Sequence, residues 1–242
     1  MLNRREVMIG AGAVAGIAAA SSAGGVEVEP RKLKIIVAGG HPGDPEYGCG
    51  GTVARCAELG HDVVLLYLND GVPEGKPRDG VRIEEAQKAC AILQARPVFA
   101  GQIDGAAVVD QTHYQAFRKL IEPERPDVVC THWPIDNHAD HRAMSMLVYD
   151  AWLHAGKRFA LYYYEVSNGE DTLQFAPTHY TDITPMESKK KLACFAHASQ
   201  SPSKFYALQE QVTRMRGIER GCRYAEGFIR QIQSPEIHLP TS

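Results

Sequence analysis

The sequence predicts an α/β fold, a Rossmann-like, doubly wound and mostly parallel sheet with helices on both faces. Three observations predict it. Short apolar, β-branched runs recur from residue 31 onward. Segments with helical spacing, about 10–15 residues long, separate them, as βαβ units require. The first run ends in the glycines Gly39-Gly40, which suits a central parallel strand.

The elements follow in order. Lys34–Ala38 (KIIVA) is the first strand, and a helix follows over about 48–59. Val63–Leu68 (VVLLYL) is the second strand, and Asp79–Gln94 is a helix with Arg82, Glu85 and Ala89 at turn-related spacings. Val98–Ala100 is a short third strand, and residues 112–122 form a helix that ends before Pro123. Asp127–Trp133 (DVVCTHW) is the fourth strand, leading into a helix from about His138 to Ala155. Ala160–Val166 (ALYYYEV) is the fifth, Tyr180–Ile183 adds an edge strand, and residues 185–220 read as mostly helical. Tyr162 and Tyr164 share a strand face, which favours core packing over ligand stacking.

The chain of 242 residues is long enough for one good-sized domain, taken as 31–242. An apolar fraction of 44% and a charged fraction of 23% belong to an ordinary globular protein. A net charge of -3 offers no basic field for nucleic acid. The six cysteines show no C-x-x-C pair and no zinc-finger spacing, so most are expected to be buried as small apolar residues.

Residues 1–25 are read apart from the fold. Arg4 and Arg5 precede an apolar, small-residue run and Ser21-Ser22-Ala23, the layout of a cleavable export signal. The paired arginines followed by Glu6, Val7 and Met8 resemble a twin-arginine signal, which places the mature protein in the periplasm or outside the cell. An uncleaved anchor is the alternative. Gly10-Ala11-Gly12 follows no strand and is no dinucleotide loop, and the loop after strand one lacks G-x-G-x-x-G.

Ligands of doubly wound sheets bind beyond the carboxyl ends of the strands. Two polar clusters fall there: His41-Pro42-Gly43-Asp44-Pro45-Glu46 after strand one, and Asp136-Asn137-His138-Ala139-Asp140-His141 after strand four. A strand order 3-2-1-4-5 makes those strands neighbours, so that histidines and a carboxylate converge with a coordination position left open. That is the ligand type and count of a hydrolytic zinc site. His138 and His141 lie one helical turn apart and can both face the mouth.

These motifs resemble the PIG-L/LmbE-like de-N-acetylase family, whose hallmarks are A-H-P-D-D-x-E after strand one and a later H-x-D-H. The chain carries G-H-P-G-D-P-E at 40–46 and H-A-D-H at 138–141. The resemblance continues through Arg82, Glu85 and Ala89, D-I-T-P at 182–185, A-H-A-S-Q at 196–200 and Y-A-E-G-F at 224–228. It implies one divalent ion, Zn2+, on His41, Asp44 and His141. It implies that His138, oriented by Asp140, stabilises the oxyanion and protonates the leaving amine. Glu46 and Arg82 are implied near the substrate or bracing the loop. Trp133, just past strand four, is expected at the pocket mouth, and His197 either braces the site or reaches the substrate. The implied reaction is removal of the acetyl group from an N-acetylated, N-acetylglucosamine-type sugar or a related small glycoside.

One position departs from the pattern: Gly43 stands where the family carries the aspartate that acts as general base. Three readings compete. Asp136 takes over, with Glu46 and Asp104 behind it; or the metal alone activates water; or the protein is a metal-containing carbohydrate-binding protein with little or no turnover. A homo-oligomer is compatible with all three.

Overall fold

The computed structural model describes residues 31–166 and 171–240. The twin-arginine segment and the membrane-anchor alternative both lie outside the described residues. Among the described residues, no helix is long and apolar enough to cross a membrane. From Lys32 onward they form one compact unit.

Seven strands make one sheet, in the order β3 (Arg96–Asp104), β2 (Asp62–Pro73), β1 (Lys34–Gly39), β4 (Val128–His132), β5 (Ala160–Tyr164), β7 (Ala225–Arg230) and β6 (His179–Asp182). The first five are parallel, and β7 runs antiparallel to both β5 and β6. The predicted order 3-2-1-4-5 is therefore observed, extended by the reversed strand β7 and by β6, which runs with the parallel set. Helices α1 (Asp44–Glu58), α2 (Val81–Leu93) and α5 (Glu187–Phe195) belong to one layer, and α3 (Gln111–Ile121) and α4 (Ala139–His154) to the other, while α6 (Pro202–Arg220) packs against β7.

Alternation along the strands builds both cores. Ile35 and Val37 of β1 join a cluster with Val53 of α1 and Leu93 of α2; Ile36 and Ala38 join another with Phe117 of α3 and Trp152 of α4. Tyr162 and Tyr164 are buried in the first cluster, as their shared face required. All six cysteines are free thiols and all but Cys222 are buried.

Several boundaries differ from the sequence reading. Helix α1 starts at Asp44 rather than near 48, because a positive φ of 113° at Gly43 turns the chain sharply into the helix. Strands β2 and β3 both run on past their apolar stretches, with register shifts between them after Tyr67. The stretch 185–220 is two helices: α5 ends at Phe195, a short turn spans Ala198–Gln200, and α6 starts after Ser201, whose φ is 53°. Strand β7 is an addition to the expected set, because its mixture of small, charged and aromatic residues carries no clear strand pattern.

Helix α1 is anchored by a buried ion pair. Lys190 Nζ of α5 lies 2.6 Å from Glu226 Oε1 of β7 and donates to Tyr47 O at 2.6 Å, while Glu226 also accepts Gly51 N and Thr52 N of α1 at 2.9 and 2.7 Å. Removing one partner of such a pair leaves an uncompensated buried charge. Lys190→Met is expected to lower unfolding free energy by roughly 3–5 kcal/mol in a urea titration.

Candidate metal centre

The site stands where β1 and β4 leave the sheet. They are paired in parallel, Ala38 opposite Thr131, so the chain after each strand emerges beside the other. Gly40 N then donates to His132 Nε2 at 3.0 Å, joining the two exits. A Cβ on Gly40 would lie 2.9 Å from His141 Cδ2 and 3.2 Å from Asp44 Oδ2, so the close approach of the loops needs glycine there.

Asp44, in the first turn of α1, is the centre of the cluster. Its Oδ2 accepts His41 N at 2.7 Å and lies 3.1 Å from His41 Nδ1, 3.2 Å from His141 Nε2 and 3.3 Å from His132 Nε2. His41 Nε2 meets Asp104 Oδ1 and Asp140 Oδ2, each at 3.1 Å. The three expected ligands, His41, Asp44 and His141, are thus side by side. With His132 and His138 around them, their nitrogen and oxygen atoms fall into groups compact enough to hold a cation.

Electrostatics accords with that. Burial works against charge on His41, yet Asp44, Asp104 and Asp140 outweigh it and hold its pKa well above the usual value. Burial likewise opposes charge on His141, and Asp44 with Asp136 still raises it to about 9. Asp44 stays well below the carboxylate range: desolvation is overcome by His141 and His41. Carboxylates that hold two buried imidazoliums can equally hold a divalent cation in place of the protons. The donor set fits zinc.

Several expected roles are corrected. Asp136 does not face the pocket: its side chain is fully buried, with Oδ1 accepting His138 N at 2.8 Å and lying 3.1 Å from His141 Nδ1, and Oδ2 accepting Thr172 Oγ1 at 3.0 Å. It orients the His141 ring, as a carboxylate behind a metal-binding histidine does, rather than waiting for a proton from water. Asp140 does not hold His138 through its carboxylate. That group is spent on His41, Asn69 Nδ2 at 3.0 Å and Gly105 N at 2.8 Å; burial works against its charge, and His41 with the Gly105 amide still holds its pKa at about 2. What fixes His138, the N-cap of α4, is the Asp140 backbone N–H, donated to Nδ1 at 3.3 Å. A ring that accepts at Nδ1 carries its proton on Nε2, so it suits donation to an oxyanion better than delivery of a proton to an amine. Burial, together with His41 and His141, also lowers the His138 pKa.

Glu46 cannot touch substrate. It is 0% exposed, accepts Tyr67 Oη at 2.7 Å and Gly43 N at 3.2 Å, and lies 3.0 Å from His197 Nε2. His197 accordingly braces the first loop while its ring lines the pocket. Trp133 is absent from the pocket wall and packs edge-on against Tyr163 and Phe175. Arg82 does line the pocket, and it clamps the loops through Gly71 O and Pro42 O, both at 2.9 Å.

The pocket, about 260 Å³, is walled by His41, Asp44, Asp104, His138, His141 and Asp171, with Tyr47 and Phe205 supplying aromatic faces. His132 and Asp171 were missed from sequence. His132 lies inside an apolar strand, where it stacks on His141 with centroids 3.9 Å apart; burial, then His141, drops its pKa to about 4. Burial, with Asp44 and Asp136 nearby, raises the Asp171 pKa to about 6. A larger cavity, about 480 Å³, lies at the amino ends of β4 and β5, walled by Arg118, Glu122, Arg125, Arg158 and apolar side chains. It holds no comparable cluster of histidines and carboxylates.

A PIG-L family profile, described as GlcNAc-PI de-N-acetylase, matches residues 36–152. A diacetylchitobiose deacetylase of Thermococcus kodakarensis is 28% identical over 232 residues, covering 85% of each chain. Among solved structures, a conserved protein of Thermus thermophilus superposes with a TM-score of 0.74 at 28% identity, over 85% of this chain and 97% of that one. The 4-carboxy-2-hydroxymuconate hydratase of Pseudomonas putida shares the fold at TM-score 0.69 and 22% identity, over 86% of this chain and all of that one.

Asp136→Asn is expected to weaken Zn2+ binding by about 10–100-fold, read by competition with a chromophoric chelator. Gly40→Ala should weaken it too, by pushing His141 and Asp44 apart.

Proposed function

Because the chain carries a PIG-L family domain, we propose that it is a zinc-dependent N-deacetylase that hydrolyses the acetamido group of an N-acetylglucosamine-type sugar or a related small glycoside. The observation that carries the reading is the convergence of His41, Asp44 and His141 in a pocket that His138 also lines. His41, Asp44 and His141 would hold the ion, which when bound supplies Lewis-acid polarisation of the water and the amide carbonyl. Asp136 keeps the His141 ring turned toward Asp44. His138 Nε2–H meets the negative charge that develops on the carbonyl oxygen. Tyr47 and Phe205 offer apolar faces to a sugar ring, and Arg82 holds the Pro42 turn in place.

Gly43 brings no side chain to the pocket, and a Cβ there would meet nothing nearer than 3.8 Å. That favours a second reading, a metal-containing sugar-binding protein without turnover. One experiment separates the two. The metal-loaded protein is expected to release amine from N-acetylglucosamine oligosaccharides, and a chelator should abolish the release. Tight sugar binding with no amine after long incubation would establish the binder instead. His138→Ala is expected to keep its metal and lose about 10²–10³-fold in kcat.

Export belongs to the same proposal, supported by Arg4-Arg5 and the apolar run behind them. Replacing both arginines by lysine should leave the unprocessed protein inside the cell, visible on a fractionated blot; continued export would argue against a twin-arginine route.

A further inference from the structure

Hydrolysis of an amide is accelerated by a group that takes a proton from the attacking water, and such groups contribute about 10²–10⁴-fold. Gly43 cannot be that group. The carboxylates around the pocket can be sorted by what already engages them. Asp44 lies between His41 and His141, and Asp104 lies 3.1 Å from His41 Nε2. Asp136 and Glu46 are sealed beneath the pocket wall by their hydrogen bonds.

Asp171 is placed differently. It lines the pocket with His138 and His141, is only partly buried, and has a carboxylate oxygen within 4.8 Å of a His141 ring nitrogen and of an Asp136 oxygen. Its position is built by the chain around it. Asp171 O accepts Asn137 N at 2.8 Å, Leu173 N donates to Ile135 O at 3.0 Å, and Thr172 bridges to Asp136 through both backbone and side chain. The loop that carries His138 therefore also fixes Asp171.

We infer that Asp171 is the proton-accepting carboxylate of this pocket and supplies the side chain that Gly43 lacks. The inference rests on the hydrolytic reading above. An O–H bond of water breaks and its proton passes to an Asp171 oxygen, while the water oxygen bonds to the acetamide carbon and the C=O π pair moves onto oxygen, toward His138. When that pair returns, the C–N bond breaks and the nitrogen takes the proton from Asp171. Acetic acid and the free amine leave, and the carboxylate is restored.

Asp171→Asn tests this. It is expected to bind Zn2+ at wild-type stoichiometry and to release amine about 10²–10⁴-fold more slowly. Asp171→Ala should regain part of the rate with added formate. A readout without turnover comes from Co2+-loaded protein: Asp171→Asn should move the pH midpoint of its visible band by about one unit. Wild-type amine release by Asp171→Asn would overturn the inference and leave the hydrolase reading standing. Loss of the metal would overturn it as well, because Asp171 would then be a ligand. Should the wild-type protein release no amine from any substrate offered, the hydrolase reading fails and the assignment of Asp171 falls with it.

Discussion

The hydrogen-bonded pairing of β1 with β4 is the constraint on which the site depends. Asp44 and His141 are far apart in the chain, and nothing local brings them together. Once Ala38 lies opposite Thr131, the two loops must leave the sheet at the same edge, and the Gly40–His132 bond closes the gap between them. Helices α1 and α4 then start on either side of that gap, with Asp44 and Asp140 in their first turns, where carboxylates are favoured. A one-residue slip of β4 would send His132 to the other face of the sheet and remove the ring on which His141 stacks.

Much of this was legible in the sequence because parallel strands buried on both faces read as plain apolar runs. KIIVA, VVLLYL and ALYYY all announced themselves, and the order 3-2-1-4-5 placed the loops correctly. The reversed strand β7 did not, since AEGFIR mixes Glu226, which serves the Lys190 pair, with small residues and one buried Phe228. His132 hid for a related reason: inside an apolar strand a single histidine carries no spacing signal. Asp171 belongs to no motif at all, and among the described residues it is the stitching of Asp171, Thr172 and Leu173 to the β4 loop and to Val166 that holds it at the pocket.

The roles of the acids were harder to read than the places of the metal-facing residues. The family resemblance paired Asp140 with His138, and its place two residues before His138 offered Asp136 as the base. In three dimensions the direction of each carboxylate decides, and both assignments change. Asp140 points across to His41 and the Gly105 amide, while Asp136 turns back under His141. In both cases the carboxylate supports an imidazole that faces Asp44, and such support behind a ligand sets ring orientation and basicity. Sealing these acids away from water also deprives them of any direct part in proton transfer with substrate.

That distinction matters because the fold by itself does not choose a reaction. A hydratase shares it at a TM-score of 0.69, so the helices and strands describe a platform rather than a chemistry. What narrows the choice is the inventory of groups that reach the pocket: a cluster able to hold a cation, an imidazole whose Nδ1 is taken by a backbone donor, and, among the described residues, the Asp171 carboxylate inferred above to exchange protons. Hydrolysis of an acetamide uses each of these once. The open backbone at Gly43, with a φ of 113°, strains any L-residue placed there even though a Cβ would have room. The loop is therefore shaped for glycine, and on the hydrolytic reading a proton acceptor would have to enter from another part of the chain.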